Sequence, residues 1–328
     1  MKGSSLFFCK TPLQSLIINQ LVRKQKDDVK NIIIYAPNNN SHLHKVYFGK
    51  IESKNKIFLS PTQSKFSYTL SNIFNWYKLP KAIREKKYDY IYFSSLGCLL
   101  FSFIAARNTK SKFFLFADGA FNLRENDFLN WVQTESFSKK IARYFFKGEH
   151  ALDTYKKLSI FFTIYPLALS NWMHCPVQKI KIFHKFDTVT RDEPSHKSKV
   201  RVFIGSYFIG NESKFNAQRK VVYDLLVKDF KADLHIPHPG NTEESFYIRE
   251  DLEDSYQSKE ESCKDMIAED MIYTLLRDGY KVSIYGIASS VLFNMSKFAA
   301  TYSIALDDEM LSEKDLMKSG GIKLLKGF

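Results

Sequence analysis

The most constraining feature of this 328-residue sequence is an alternation of short apolar runs with amphipathic segments, and the alternation occurs twice. In the first half, NIIIYA (31–36) and KFFLFADG (112–119) are predicted strands. The segment TPLQSLIINQLVRK (11–24) is a predicted helix with Thr11 as its N-cap and Pro12 at the first helical position. Apolar strands that alternate with helices are typical of a parallel sheet covered on both faces.

The alternation restarts after RDEPSHKSK (191–199), a polar stretch that we interpret as a linker. The second half contains predicted strands at VRVFIGSYF, ADLHI, KVSIYG and ATYSIAL, and a helix that begins at Ser289. The sequence therefore predicts an α/β protein with two doubly wound, Rossmann-like domains, at 1–192 and 199–328, that face each other across a cleft. In open sheets of this type, ligands bind outside the carboxyl ends of the strands.

Composition indicates the class of partner and the cellular compartment. Hydrophobic residues make up 45% of the chain, which is enough for packed cores, and the net charge of +13 favours an anionic partner such as nucleic acid, a phosphorylated ligand or a membrane face. Four scattered cysteines without a CxxC pair indicate a reducing cytoplasm, and the N-terminus has no signal-peptide pattern. The uncharged stretches 90–106 and 158–173 are shorter than the roughly 20 residues of a membrane span, so no transmembrane helix is predicted.

Loops at the ends of the predicted strands carry the candidate chemistry, because HExxH, GxSxG, GxGxxG and P-loop patterns are missing from the sequence. Asp118-Gly119 follows an apolar strand, where the carboxylate is either a helix cap or a base that accepts a proton from a substrate hydroxyl. His238 lies between Pro237 and Pro239. It is either part of an exposed turn or an imidazole held in a rigid loop for a ligand.

Two further loops are suited to an anionic ligand. Ser289 and Ser290 open a predicted helix, where the hydroxyls either bind a phosphate or form an ordinary N-cap. Gly205-Ser206 is a small loop that lets a ligand approach the backbone. His42 and His44 lie two residues apart in a predicted polar loop, a poor pattern for a metal site.

The order of six motifs resembles that of glycosyltransferase family 52, the lipooligosaccharide sialyltransferases of mucosal Gram-negative bacteria. The motifs are LFFCKTPLQ, FADGAFN, IGS, HIPHPG, IAEDMIYTLL and IYGIASSVLFN, and they are spread over about residues 4–305. The resemblance implies a GT-B fold with an N-terminal acceptor domain and a C-terminal domain that binds CMP. It also implies CMP-N-acetylneuraminic acid as donor and a terminal galactose as acceptor.

Residue roles follow from the same resemblance. Asp118 would be the general base on the acceptor hydroxyl, and His238 would assist the departure of CMP. Many relatives carry two acidic residues before the glycine, whereas this chain has Ala117 before Asp118. The remaining donor-binding positions implied by the motifs are Gly205, Ser206, Pro239, Glu269, Ser289 and Ser290. The implied acceptor or cleft positions are Thr11, Gln14, Gly119 and Asn122.

No cofactor and no metal are expected, because a histidine and helix-terminal N–H groups can stabilise a nucleoside monophosphate leaving group without a divalent ion. We expect an inverting enzyme in the cytoplasm, and a homodimer is one option for its assembly. A transferase that uses another CMP-nonulosonate or nucleotide sugar is the first alternative. The second is a basic protein that binds a membrane or nucleic acid without catalysis, although no nucleic-acid module is recognisable.

The segment SFSKKIARYFFKG (136–148) is a predicted basic, aromatic helix. Such a helix either lies on an anionic membrane surface or packs its aromatic side chains into the first domain. A lipid-linked acceptor made on the inner leaflet would agree with the first interpretation, which predicts a peripheral contact with the inner face of the inner membrane.

Overall fold

The computed structural model describes residues 3–25, 29–61, 65–116, 125–165, 172–182, 197–205, 232–238, 247–250, 252, 265–287, 289–305 and 314–326. The chain divides into two compact units, Met1–Ile182 and Phe183–Phe328. Most of the predicted linker at 191–199 lies outside the described residues, so its position stays a prediction.

The first unit is built on a seven-stranded sheet in which every described pair of neighbours is parallel. The strand order is β3-β2-β1-β4-β5-β6-β7. The strands are β1 (Ser4–Cys9), β2 (Lys30–Tyr35), β3 (Lys56–Phe58), β4 (Tyr90–Phe93), β5 (Lys112–Phe116), β6 (Leu158–Thr163) and β7 (Val177–Lys179). The described helices are α1 (Pro12–Arg23), α2 (Leu43–Gly49), α3 (Lys65–Lys78), α4 (Lys81–Arg84), α5 (Leu99–Arg107), α6 (Glu125–Gln133), α7 (Phe137–Phe145) and α8 (Ala151–Lys156).

The start of the first unit follows the sequence signals closely. Leu6 to Cys9 are fully buried in β1, as expected for a strand covered on both faces. Thr11 caps α1 and Pro12 occupies its first turn, which confirms the predicted helix start. Gln14 closes a capping box with Thr11, so two backbone N–H groups at the helix end are satisfied by side chains.

Two local expectations differ from the structure. The sequence from about Lys65 to Lys86 predicts a single helical stretch. The structure divides it into α3 and α4, because Pro80 cannot continue a helix and restricts the residue before it. His44, predicted in a polar loop, lies in α2 and is buried. Its Nδ1 atom is 2.8 Å from the Tyr35 hydroxyl and its Nε2 atom is 2.8 Å from Asn39 Oδ1, so both ring nitrogens have partners.

The second unit contains a six-stranded sheet in the order β10-β9-β8-β11-β12-β13. Its strands are β8 (Lys199–Ile204), β9 (Leu234–Ile236), β10 (Tyr247–Ile248), β11 (Lys281–Gly286), β12 (Ala300–Ala305) and β13 (Lys323–Lys326). The described helices are α9 (Ala268–Arg277), α10 (Ser290–Met295) and α11 (Lys314–Ser319). Only the edge strand β10 is antiparallel among the described pairs of this sheet.

Both sheets place the first strand of their unit in the middle and extend from it in both directions. This is the doubly wound, Rossmann-like order, with a topological switch point between β1 and β4 in one sheet and between β8 and β11 in the other. The predicted α/β class with two such domains, as in GT-B enzymes, is confirmed. Across the described part of the chain, none of the helices has the length and apolar character needed to cross a membrane.

Candidate functional site

Three neighbouring strands of the second sheet end level with one another. Ile204, the last residue of β8, pairs with Ile236 at the end of β9 and with Gly286 at the end of β11. All three strands run parallel, so the loops that follow them leave the same carboxyl edge of the sheet. This edge includes the switch point, which is the usual ligand site of an open α/β sheet.

His238 leaves this edge directly after β9. Pro237 separates His238 from the strand, and His238 is exposed. Beside it, the buried Gly205 follows β8 and donates its N–H to the Ile236 carbonyl oxygen at 2.9 Å. The predicted site residues His238 and Gly205 therefore lie on adjacent loops joined by a backbone hydrogen bond.

Ser289 and Ser290 follow β11 on the other side of β8. Ser289 caps α10, and its Oγ atom accepts a hydrogen bond of 3.3 Å from the Val291 N–H. Both serines are half-buried. Because neighbouring strands lie about 4.8 Å apart, two strand spacings place the ends of β9 and β11, from which the His238 and Ser289 loops leave, roughly 10 Å apart. That distance suits the two ends of a small phosphorylated ligand.

The strand ends are packed closely where β8 meets β11. A Cβ atom built on Gly286 would lie 3.2 Å from the Ile204 carbonyl oxygen. This close approach explains the glycine at the end of β11. No role for Gly286 was predicted from the sequence, although a glycine at the end of an apolar strand is a usable signal of close backbone contact.

Glu269 lies in the first turn of α9 and is buried. Its Oε1 atom accepts a hydrogen bond of 2.7 Å from the Asn294 side-chain amide in α10. Burial raises the pKa of the Glu269 carboxyl above its ordinary value, and the Asn294 hydrogen bond lowers it in part. The contact fixes α9 against the short helix that Ser289 and Ser290 open. Asn294 was missed in the sequence because its partner is 25 positions away.

Thr11 and Gln14 lie at the switch point of the first sheet, after β1. The Gln14 Oε1 atom accepts hydrogen bonds from the Lys10 N–H at 2.6 Å, the Thr11 N–H at 3.2 Å and the Ser94 hydroxyl at 2.8 Å. Ser94 directly follows β4, so one buried amide joins the loops after two adjacent strands. These hydrogen bonds assign Gln14 to building this edge of the sheet, and Ser94 is a partner that sequence reasoning missed.

Two lysines converge on one aromatic ring near the same loops. The ammonium nitrogens of Lys10 and Lys139 lie 5.8 Å and 4.9 Å from the centre of the Tyr68 ring. The Tyr68 hydroxyl and the Lys139 ammonium both donate to the Gly97 carbonyl oxygen at 3.4 Å. Burial lowers the pKa of Lys139, and the charge of Lys10 lowers it further. Two lysine side chains therefore lie close together at this edge of the first unit.

Five predicted site residues lie outside the described residues: Asp118, Gly119, Asn122, Ser206 and Pro239. The strand before Asp118 is described, since β5 ends at Phe116 beside the carboxyl end of β4. In the described part of the chain, no group of three or more His, Cys, Asp or Glu residues could hold a metal ion. The edge of the second sheet instead combines an imidazole, two serine hydroxyls and a glycine loop, a set that can bind a phosphate.

Comparison with solved structures finds matches that cover nearly the whole chain. The chain is similar to MurG of Acinetobacter baumannii, with 9% identity, a TM-score of 0.43 and coverage of 99% of this chain and 86% of that one. It is also similar to a UDP-N-acetylglucosamine 2-epimerase, with 11% identity, a TM-score of 0.49 and coverage of 99% and 84%. None of the curated protein sequences matches this one.

The family comparison covers most of the chain. The family model of glycosyltransferase family 52 matches residues 29–309. The matched range includes both units and the motifs around Asp118, His238, Glu269 and Ser289. It begins after the LFFCKTPLQ motif, which therefore contributes nothing to this match. The chain belongs to glycosyltransferase family 52, the family of bacterial sialyltransferases that the order of its motifs indicated.

Proposed function

We propose that this glycosyltransferase moves sialic acid from CMP-N-acetylneuraminic acid to a terminal galactose of a lipooligosaccharide or related surface glycan. The observation that carries the proposal is the level end of β8, β9 and β11, which collects Gly205, His238 and Ser289 at one edge of the second sheet. Family membership supplies the reaction class. A cytidine monophosphate needs a phosphate-binding edge of this kind.

In the proposed reaction, the acceptor hydroxyl oxygen attacks the anomeric carbon of the donor as the bond from that carbon to the CMP phosphate oxygen breaks. Asp118 takes the proton of the hydroxyl, and His238 donates a hydrogen bond or a proton to the departing phosphate. A single displacement of this kind inverts the anomeric configuration. The charge that develops on the leaving phosphate is met by His238, Ser289 and Ser290, so the proposal includes no metal and no cofactor.

The remaining positions have supporting roles in the proposal. Gly205, Ser206 and Pro239 shape the loops around CMP, and Glu269 holds the start of α9 toward the donor. On the acceptor side, Thr11 and Gln14 hold the loop after β1. Gly119 and Asn122, which follow the proposed base in the sequence, are further proposed acceptor positions. The charges of Lys10 and Lys139 suit an acceptor glycan that carries acidic groups.

The acceptor class also suggests a place of action. A lipooligosaccharide is built on a lipid, so the proposal puts the working enzyme in the cytoplasm at the inner face of the inner membrane. A homodimer is compatible with this location and is tested by the molecular mass in solution. Family membership favours the enzyme over the alternative of a basic binding protein without catalysis.

One assay tests the proposal. The protein is incubated with CMP-N-acetylneuraminic acid and lactose, and we expect released CMP together with a sialylated lactose. Release of CMP without a sialylated product would contradict the acceptor assignment. Inhibition by UDP but not by CMP would favour the alternative in which the enzyme uses another nucleotide sugar.

A further inference from the structure

We infer that α3 and α7 together form a surface that binds an anionic lipid bilayer. In the described part of the chain, eight large hydrophobic side chains are exposed, and seven of them lie on these two helices. We call this set the α3–α7 face. It consists of Leu70, Phe74, Tyr77, Phe137, Ile141, Tyr144 and Phe145.

The apolar residues of each helix share one side of it. On α7, Phe137, Ile141, Tyr144 and Phe145 follow helical spacing, and the side chains of Phe137, Tyr144 and Phe145 are 78%, 79% and 74% exposed. The alternative interpretation, in which the aromatic side chains of this helix pack into the first domain, is wrong for these three residues. They face outward, whereas Ala142 is buried.

The outward apolar side of α3 was not expected from the sequence. Leu70, Phe74 and Tyr77 also follow helical spacing and are between 57% and 62% exposed. The Thr69 and Ser138 hydroxyls lie 3.2 Å apart, so they join the two helices directly. Single exposed apolar residues are common on protein surfaces, but seven of them on two adjacent helices indicate a partner.

The charges beside the patch identify that partner. Neither α3 nor α7 contains an acidic residue. Lys78 lies over the Phe74 ring at 4.4 Å, and Lys140 and Lys147 are exposed at and just beyond α7. Long basic side chains beside exposed tyrosine and phenylalanine are suited to the headgroup level of an anionic membrane.

A second copy of the chain fits the patch less well. A symmetric dimer places the same surface on both subunits, so Lys78, Lys140 and Lys147 would oppose the same lysines of the other copy. Without acidic residues on either helix, this contact would bring like charges together. An anionic bilayer instead supplies the opposite charge and an apolar layer at once.

Vesicle sedimentation tests the inference, and it needs neither donor nor acceptor, so its result is independent of the proposed transfer reaction. The full chain is mixed with vesicles of phosphatidylcholine alone or with phosphatidylglycerol added. We expect strong binding only to the vesicles that contain phosphatidylglycerol. Equal binding to both kinds of vesicle, or to neither, would overturn the inference.

Two variants separate the apolar and the charged parts. The apolar variant is Phe74→Ser, Tyr144→Ser and Phe145→Ser, and we expect at least tenfold weaker binding. The charge variant is Lys78→Gln, Lys140→Gln and Lys147→Gln. Each cation near an anionic surface contributes about fivefold, so three substitutions should weaken binding by roughly a hundredfold.

Matched controls show whether the location matters. Tyr247→Ser removes an exposed aromatic side chain from the second unit, and Lys24→Gln, Lys45→Gln and Lys54→Gln remove three exposed lysines elsewhere on the first unit. Both controls should bind within about twofold of the parent. If the lysine control loses as much vesicle binding as the charge variant, the loss depends on net charge alone and not on the α3–α7 face. That result would overturn the inference.

A folding check and a mass measurement complete the test. All substituted side chains are exposed, so the variants should melt within a few degrees of the parent. If the apolar variant is unstable, Tyr144→Ser alone provides the same comparison at the most exposed position. A parent that is a dimer in solution and an apolar variant that is a monomer would show that a second copy covers the face, against the inference.

Discussion

The side-chain amide of Asn294 in α10 donates a hydrogen bond of 2.7 Å to the buried carboxyl of Glu269 in α9. Desolvation holds the pKa of this carboxyl above its ordinary value of 4.5. A group whose pKa is raised in the folded state stabilises the fold below its unfolded pKa, and this contribution is lost as the pH rises. Glu269 therefore opposes folding increasingly above pH 4.5.

Glu269→Gln should show this effect. The glutamine keeps an oxygen that can accept from Asn294 but has no charge to desolvate. We expect the melting temperature of the variant, relative to the parent, to rise as the pH increases from 4.5 to 7. If the melting temperatures of variant and parent change with pH in the same way, Glu269 is not a buried carboxylate with a raised pKa.

The proposed base gives a second prediction. Asp118→Asn keeps the shape of the side chain and removes its basicity, so transfer should fall by about a hundredfold or more while CMP affinity stays within twofold. Initial rates and calorimetric titration with CMP measure the two effects. Asp153→Asn, at an exposed position in α8, is the control and should leave both unchanged. Transfer at the parent rate by Asp118→Asn would place the base elsewhere.

The proposed leaving-group residue behaves differently. His238→Ala should weaken CMP binding and slow transfer together, because in the proposed reaction the imidazole contacts the phosphate before and during bond breaking. Each effect should be tenfold or larger. The control is His42→Ala, which removes an exposed imidazole from the first unit. Unchanged CMP affinity in His238→Ala would show that His238 does not contact the CMP phosphate.

Metal removal gives a fourth prediction. The proposed site meets the charge of the phosphate with His238 and the two serines at the start of α10, so transfer should continue at the parent rate in excess EDTA. Rates are measured before and after chelation, with lactose as acceptor. Loss of transfer in EDTA with recovery in Mg²⁺ or Mn²⁺ would refute this description of the leaving-group site.

The buried imidazole of His44 gives a prediction for stability. Burial lowers its pKa from 6.5 to about 4, so the folded protein holds the neutral form. The neutral His44 therefore contributes about 3 kcal/mol to the free energy of unfolding. This contribution is complete above pH 6.5 and is lost as the pH falls toward and below 4. His44→Gln should remove this part of the pH dependence of the free energy of unfolding, measured in urea, and His42→Gln should not. If the free energy of unfolding has the same pH dependence in His44→Gln and in the parent, His44 is not a buried imidazole held in the neutral form.

The sequence predicted elements whose signals are local. The apolar run of β2 (NIIIYA, 31–36) and the Thr11-Pro12 start of α1 depend on residues that are neighbours in the chain, and both are found as expected. The position of Ser289 before α10 is another such signal. These features could be predicted because caps and strand periodicity act within a few residues.

Features that depend on distant contacts were not predicted. The hydrogen bond between Gln14 and Ser94 joins residues 80 positions apart, and the sequence assigned Gln14 to the acceptor site without its partner. His44 has polar neighbours in sequence, but Tyr35 and Asn39 satisfy its ring and allow its burial. The outward apolar side of α3 was missed for the same reason. It forms part of a larger surface only because α7, which is distant in the sequence, lies beside it.

The close approach of Gly286 to the Ile204 carbonyl oxygen limits how the sugar specificity of such an enzyme can be altered. Any side chain at position 286 would require the Ile204 carbonyl oxygen to move by a few tenths of an ångström, at the point where the two strands that carry the proposed donor loops end. Variant libraries aimed at other nucleotide sugars should therefore keep this position fixed and vary the residues that follow His238 and Ser289. We expect diversity placed in those loops to change which donor the proposed site accepts, while the sheet that carries them keeps its geometry.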